Sequence, residues 1–218
     1  MTTDIVIVSA ARTAVGSFNG AFGAVPAHEL GAVAIKAALE RAGVAPEEVE
    51  HVIMGQVLMA GQGQVPSRQA ASKAGIPMSV PATTINKVCL SGINAIYLAD
   101  QMINAGDAEV VVAGGMESMT NAPYLLPKAR AGYRMGNGQV VDSLIHDGLW
   151  CAFDAVHMGE GTEKYTQSMG TITRDMQDDL AAKSHQRAAA AHEAGRFADE
   201  IAPVSIAQRK GDPKVIDT

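Results

Sequence analysis

The chain has 218 residues, of which 47% are hydrophobic and only 4% aromatic. That apolar content supports a sizeable core and excludes global disorder. The core has to be built from Ala, Val, Ile, Leu and Met, packed closely around many of the 22 glycines. A formal charge of -6 argues against a nucleic-acid-binding surface over the chain as a whole.

Taken in order, the first part alternates strand and helix signals. Asp4–Ala10 (DIVIVSA) reads as a buried strand, followed by a glycine-containing loop over 12–26. His28–Ala42 carries Leu30, Val33, Ala34, Ala37 and Ala38 at helical spacing and ends at Gly43. Glu47–Glu50 is a polar turn, and His51–Leu58 a second strand. Ser67–Ala74 is a helix closed by Gly75 and Pro77, and Ala82–Val88 a third strand. In the helix predicted over Leu90–Ala105, Leu90, Ile93, Ile96, Tyr97 and Ile103 mark one face, and Gly106 follows its end. Glu109–Ala113 is a fourth strand entering Gly114-Gly115. Such alternation predicts an α/β domain, a mainly parallel sheet with helices on both faces.

The texture changes near Ser118. The stretch 123–148 is rich in Gly, Pro and mixed polar residues without a period, as expected of an irregular inserted region that serves function or assembly. A strong helix returns over Asp175–Ala194, with Thr173 as N-cap and Gly195 beyond its end. After Pro203 come a short apolar stretch and a basic-polar end. With no terminal helix or strand signal, the expectation is that the domain continues beyond Thr218.

The two cysteines, Cys89 and Cys151, are too few for a disulfide scaffold and lack zinc-ligand spacing. The opening MTTDIVIVSAART has no basic n-region, long apolar core or cleavage site, and no apolar run reaches membrane-spanning length. A reducing, cytoplasmic compartment is the expectation. Dinucleotide G-x-G-x-x-G, P-loop and G-x-S-x-G patterns are missing.

What stands out is Cys89 in Ile85-Asn86-Lys87-Val88-Cys89-Leu90-Ser91-Gly92, where a strand signal hands over to a helix signal. A thiol there lies at the positive end of a helix dipole, which favours the nucleophilic form needed for covalent catalysis. The competing reading is a buried, inert cysteine. In an open parallel sheet, ligands bind beyond the carboxyl ends of the strands. Cys89 and the turn Gly114-Gly115-Met116-Glu117 both fall at such ends, so they can share a crevice. Cys151, without a helix start or basic partner, reads as an ordinary buried cysteine. Of the six histidines, His185 and His192 read as solvated, His28 and His51 as element-start residues, and His157 as structural. Lys128, Arg130 and Arg134 form a small basic loop cluster, either solvated or an anion-attracting rim.

These residues together resemble the thiolase family. The carrying motifs, in order, are Val8-Ser9-Ala10-Ala11-Arg12-Thr13, Met54-Gly55-Gln56-Val57-Leu58, Gln69-Ala70-Ala71, the Cys89 segment, Ala113-Gly114-Gly115-Met116-Glu117-Ser118-Met119 and Asp147-Gly148-Leu149-Trp150. The resemblance implies a thiolase-like fold divided as an N-terminal α/β domain over 1–117, part of a loop domain over 118–218, and a C-terminal half that is absent. It implies that Cys89 accepts an acyl group as a thioester, and that Leu149, His157 and Met158 line the CoA and acyl pocket. The implied reaction is Claisen condensation of two acetyl-CoA to acetoacetyl-CoA, and its reverse thiolysis. A 3-ketoacyl-CoA thiolase of fatty-acid degradation, or an inactive fragment, are the alternatives. No metal or cofactor is implied, CoA being substrate and product. The implied partners are the acyl-CoA substrates, like subunits in a homotetramer or homodimer, and the chain's own missing half, with neither nucleic acid nor membrane. The family's further catalytic groups, a histidine and a second cysteine in a Cys-Gly-Gly-Gly motif, have no match in this sequence, and Cys151 does not fill the second role.

Overall fold

A computed structural model describes residues 4–218. Its centre is a three-stranded parallel sheet. Strand β1 (His51–Gly55) lies between β2 (Ala82–Ile85) and β3 (Val111–Gly115). Helix α1 (Ala27–Ala42) precedes the sheet, α2 (Pro66–Lys73) links β1 to β2, and α3 (Ser91–Ala105) links β2 to β3.

The period-two geometry of β1 explains why both faces need cover. Val52 and Met54 point into a core formed with Ile35 and Leu39 of α1 and Ala70 and Ala71 of α2. Ile53 points the other way, onto Ala95 and Ala99 of α3. The helices end as expected. Gly43 and Gly106 take left-handed conformations, φ 65° and 79°, and their N–H groups return to carbonyls of the last turns of α1 and α3.

Two expectations for this region fail. Residues 4–10 form no strand. Among the described residues no strand lies beside them, so the apolar run stays unpaired with Val6, Ile7 and Val8 71%, 76% and 70% exposed. The large apolar face of α3 is also not the buried one. Its small residues Ala95 and Ala99 face the sheet, while Ile93, Ile96 and Tyr97 are exposed. Small residues let the helix axis approach the strands closely, and this decides which face goes inside.

Beyond β3 the irregular region holds more structure than its composition predicts. Strands β4 (Tyr124–Leu125) and β5 (Val141–Asp142) pair antiparallel, and α4 (Ser143–Gly148) follows. Asp142 caps α4 by accepting the Leu144 N–H at 2.9 Å. Strands β6 (Trp150–Cys151) and β7 (Val156–His157) form a hairpin that runs into α5 (Met158–Met169), a helix not foreseen from the sequence. The predicted helix α6 (Arg174–Glu193) is present, with the Thr173 hydroxyl accepting the Met176 N–H at 3.2 Å.

The end of the chain returns to its beginning. Strands β8 (Val204–Ile206) and β9 (Lys214–Ile216) form an antiparallel hairpin where a short apolar stretch and a basic-polar end, with no terminal strand, were expected. Val204 packs with Ala14, Phe22 and Val25. Arg12 pairs with Glu200 at 3.2 Å and lies over the Phe197 ring. Arg41 binds the Glu200 and Ile201 carbonyls at 3.0 Å each. Among the described residues, no helix is long and apolar enough to cross a membrane.

Candidate active site

The site lies beyond the carboxyl ends of β1, β2 and β3. Between β2 and α3 the chain makes a tight elbow, and Val88 takes φ 51°. A β-branched residue in that left-handed region is strained, and such strain persists only where the surroundings enforce it. Here the Ser91 hydroxyl enforces it, accepting the Lys87 N–H at 2.7 Å and donating to the Val88 carbonyl at 2.6 Å. The Asn86 side chain adds a bond, its Oδ1 accepting the Val88 N–H at 2.9 Å.

The elbow lifts Cys89 out of the packing. Its thiol is free and the residue exposed, so the inert buried reading is set aside. Helix α3 begins two residues later, at Ser91. The N–H groups of Leu90 and Ser91 turn back onto the Lys87 and Val88 carbonyls. That of Cys89 takes part in no such turn bond.

Three glycines allow the start of α3 to sit against the strand ends. A Cβ on Gly55 would stand 2.5 Å from the Ser91 carbonyl carbon and 2.7 Å from the Gly92 nitrogen. A Cβ on Gly115 would come within 3.3 Å of the Gly92 Cα. No side chain fits between these backbones.

Cys89 opens on a cavity of about 410 Å³ whose wall also includes Gly55, Leu58, Glu117, Gly148 and Leu149. The expected crevice shared by Cys89 and the Gly114–Glu117 turn is therefore formed, and Leu149 joins it from the irregular region. His157 and Met158 are not on that wall. The β6–β7 hairpin keeps them next to Leu149, with the Met158 N–H donating to the Leu149 carbonyl at 2.8 Å and Trp150 opposite His157. Both are exposed. Cys151 is half-buried, its sulfur within hydrogen-bond distance of the Asp154 carboxylate at 3.5 Å. Lys128, Arg130 and Arg134 are exposed.

The sequence reading missed what Glu117 does. Its carboxylate accepts the N–H groups of Val57 at 2.8 Å and Leu58 at 3.1 Å, one on each oxygen. Burial pushes its pKa above the ordinary carboxylate value, and the two N–H bonds oppose that rise. The one visible signal was an acid two residues after a Gly-Gly strand end. Gln56, 1% exposed, donates to the Leu58 carbonyl at 3.2 Å, which leaves its Oε1 buried without a partner. Among the described residues, no cluster of His, Cys, Asp or Glu is arranged to hold a metal ion.

The Thiolase, N-terminal domain family model matches residues 5–218. The chain belongs to the thiolase family. Similar thiolases bear the name acetyl-CoA acetyltransferase. The protein of that name from Cupriavidus necator is 59% identical over 99% of this chain and 55% of its own length. One from Pseudomonas aeruginosa is 55% identical over 99% of this chain and 54% of its own length. A probable acetyl-CoA acetyltransferase from Mycobacterium tuberculosis is 56% identical over 98% and 54% respectively. The chain thus spans about half the length of these thiolases.

Proposed function

We propose that this chain carries the nucleophile and part of the acyl pocket of an acetyl-CoA acetyltransferase. The observation that carries the reading is a free, exposed thiol on a strained strand-to-helix elbow, opening on the cavity at the strand ends. The Cys89 thiol gives up its proton, its sulfur attacks the thioester carbon of acetyl-CoA, a C–S bond to Cys89 forms as the C–S bond to CoA breaks, and CoA leaves with that proton. The Cys89 N–H, at the turn before α3, stabilises the developing oxyanion. A second acetyl-CoA loses an α-proton to a base. Its carbon attacks the acetyl-Cys89 carbonyl, acetoacetyl-CoA departs, and the thiolate is restored. Thiolysis is the reverse.

Glu117 is not that base. It is the only ionisable group beside Cys89 on the wall among the described residues, and both its oxygens are already held by N–H groups. The base, the activator of Cys89 and the second oxyanion donor accordingly belong to residues outside this chain, as part of a C-terminal half. The exposed apolar surface of residues 6–8 and of Ile93, Ile96 and Tyr97 supports such a packing partner. Leu149 lines the acyl end. His157 and Met158 stand beside it on the hairpin, outside that wall, where the CoA arm would pass. CoA enters as substrate, the chemistry itself requiring neither a metal nor a redox group. The names of the similar proteins favour acetyl-CoA over longer acyl chains. A cytoplasmic homotetramer or homodimer completes the reading.

The test is intact-mass measurement of the complete enzyme mixed with acetyl-CoA. One acetyl adduct on Cys89 is expected, and none in Cys89→Ala. An adduct that survives in Cys89→Ala removes the proposal.

A further inference from the structure

After Gly55 the chain leaves the sheet, and among the described residues no strand pairs with 57–58. Side chains take over. The Gln56 N–H still reaches the Ile85 carbonyl at 3.0 Å. Beyond it, the consecutive N–H groups of Val57 and Leu58 are both taken by Glu117, which stands two residues past β3. The Asn86 amide reaches the Val57 carbonyl at 3.4 Å from the Cys89 elbow. Segment 57–58 is thus slung between the ends of β3 and β2.

That segment is a wall of the Cys89 cavity, and it abuts the opposite wall. Leu58 is 5% exposed. A Cβ on Gly148 would meet the Leu58 Cδ2 at 3.4 Å and the Val57 Cγ1 at 3.9 Å. Any shift of Val57 and Leu58 therefore changes the gap to Gly148 and Leu149.

We propose that Glu117 is a positioning residue that sets the width of the acyl end of the Cys89 cavity, and so which acyl chain is accepted. The inference rests on the acyl-transfer reading of this cavity. Each of the two consecutive N–H groups takes its own oxygen here, and a carboxylate supplies both on one planar head. An amide supplies one acceptor and turns an NH2 group toward the other N–H, which would push the segment away. With both oxygens engaged by donors, Glu117 acts by holding the wall and takes no proton from substrate.

The experiment is Glu117→Gln in the complete enzyme. Thiolysis of acetoacetyl-CoA and 3-oxohexanoyl-CoA is compared, together with the rate at which iodoacetamide alkylates Cys89. The variant should alter the ratio of kcat/KM for the two substrates by about tenfold, the scale of a pocket misfit of a methylene or so. The change should appear mainly in KM, with alkylation within about twofold of the parent. If folded Glu117→Gln keeps the parent's ratio, or loses only kcat equally for both substrates, the proposal is overturned. Should that variant not fold, Glu117→Asp decides, because it keeps both carboxylate oxygens but is one methylene too short to reach Val57 and Leu58 in their present place. A changed ratio supports the proposal and an unchanged one overturns it. A parent enzyme that forms no acyl adduct on Cys89 instead sinks the acyl-transfer reading, and this inference with it.

Discussion

Cys89 owes its position to neighbours that do no chemistry. Val88 is held at positive φ by the Ser91 hydroxyl and the Asn86 amide, and the thiol projects from the turn so formed. Ser91→Ala removes the two bonds of that hydroxyl and leaves the Lys87 N–H and Val88 carbonyl without it. The expected cost is about 1–3 kcal/mol of stability, read from urea unfolding. Acyl transfer should fall with it, since the elbow would relax away from its strained geometry. A variant with unchanged stability would show that water replaces the hydroxyl without loss. The two cysteines also differ in a testable way. Cys89 is exposed, whereas Cys151 is half-buried beside Asp154. Iodoacetamide should therefore modify Cys89 first, as peptide mapping would reveal. Preferential labelling of Cys151 would contradict the assignment of the nucleophile.

At the scale of elements, the site depends on how closely α3 approaches β1 and β3. The contact is backbone on backbone, through Gly55, Gly92 and Gly115. Gly55→Ala would set a methyl group 2.5 Å from the Ser91 carbonyl carbon, in a place no flexible side chain can vacate. Either α3 moves, carrying Cys89 with it, or the strand end distorts. A loss of roughly 1–3 kcal/mol is expected, with alkylation of Cys89 changed as well. If the variant melts and reacts like the parent, the close approach has no bearing on the nucleophile. On the other face, Ile53 packs on Ala95 and Ala99, so the same helix is held by its small residues.

For the whole molecule, two surfaces lack a partner among the described residues, segment 6–8 and the outer face of α3. On the proposed reading, this chain alone binds the hydrophobic dye ANS and catalyses no measurable thiolysis, whereas the complete enzyme does the opposite. Robust turnover by the 218 residues alone would refute the need for further catalytic groups. The pH dependence of folding follows from His28 and His51. Burial lowers both pKa values, with Lys73 adding to the effect at His28. Each fold-bound imidazole prefers to be neutral, so its contribution to stability is present above the unfolded value near 6.5 and is lost as pH falls through the lower folded value. Glu117 acts in the other direction. Its raised pKa favours the neutral carboxyl, a contribution present below 4.5 and lost as pH rises through the folded value. The Tm of the chain should drop between about pH 7.5 and about pH 5.5, and the drop should shrink in His51→Gln. An equal drop in that variant would remove His51 from the account.

Much of this was written locally in the chain. Helix limits at Gly43 and Gly106, the N-cap at Thr173 and the strand-to-helix handover at Cys89 each depend on backbone preferences that act over a few residues, and all appear as read. The Cys89 and Gly-Gly-Met-Glu motifs also make the thiolase family legible in the sequence alone. Other features were decided only in three dimensions. The apolar run at 4–10 has strand composition, yet a strand requires a neighbour to take its hydrogen bonds, and none lies beside it among the described residues. Periodicity marked an apolar face on α3, but close packing buried Ala95 and Ala99 instead. The bond from Glu117 to Val57 and Leu58 joins residues about sixty positions apart, a separation at which no local pattern operates. It exists because parallel strands bring their carboxyl ends to one side of the sheet.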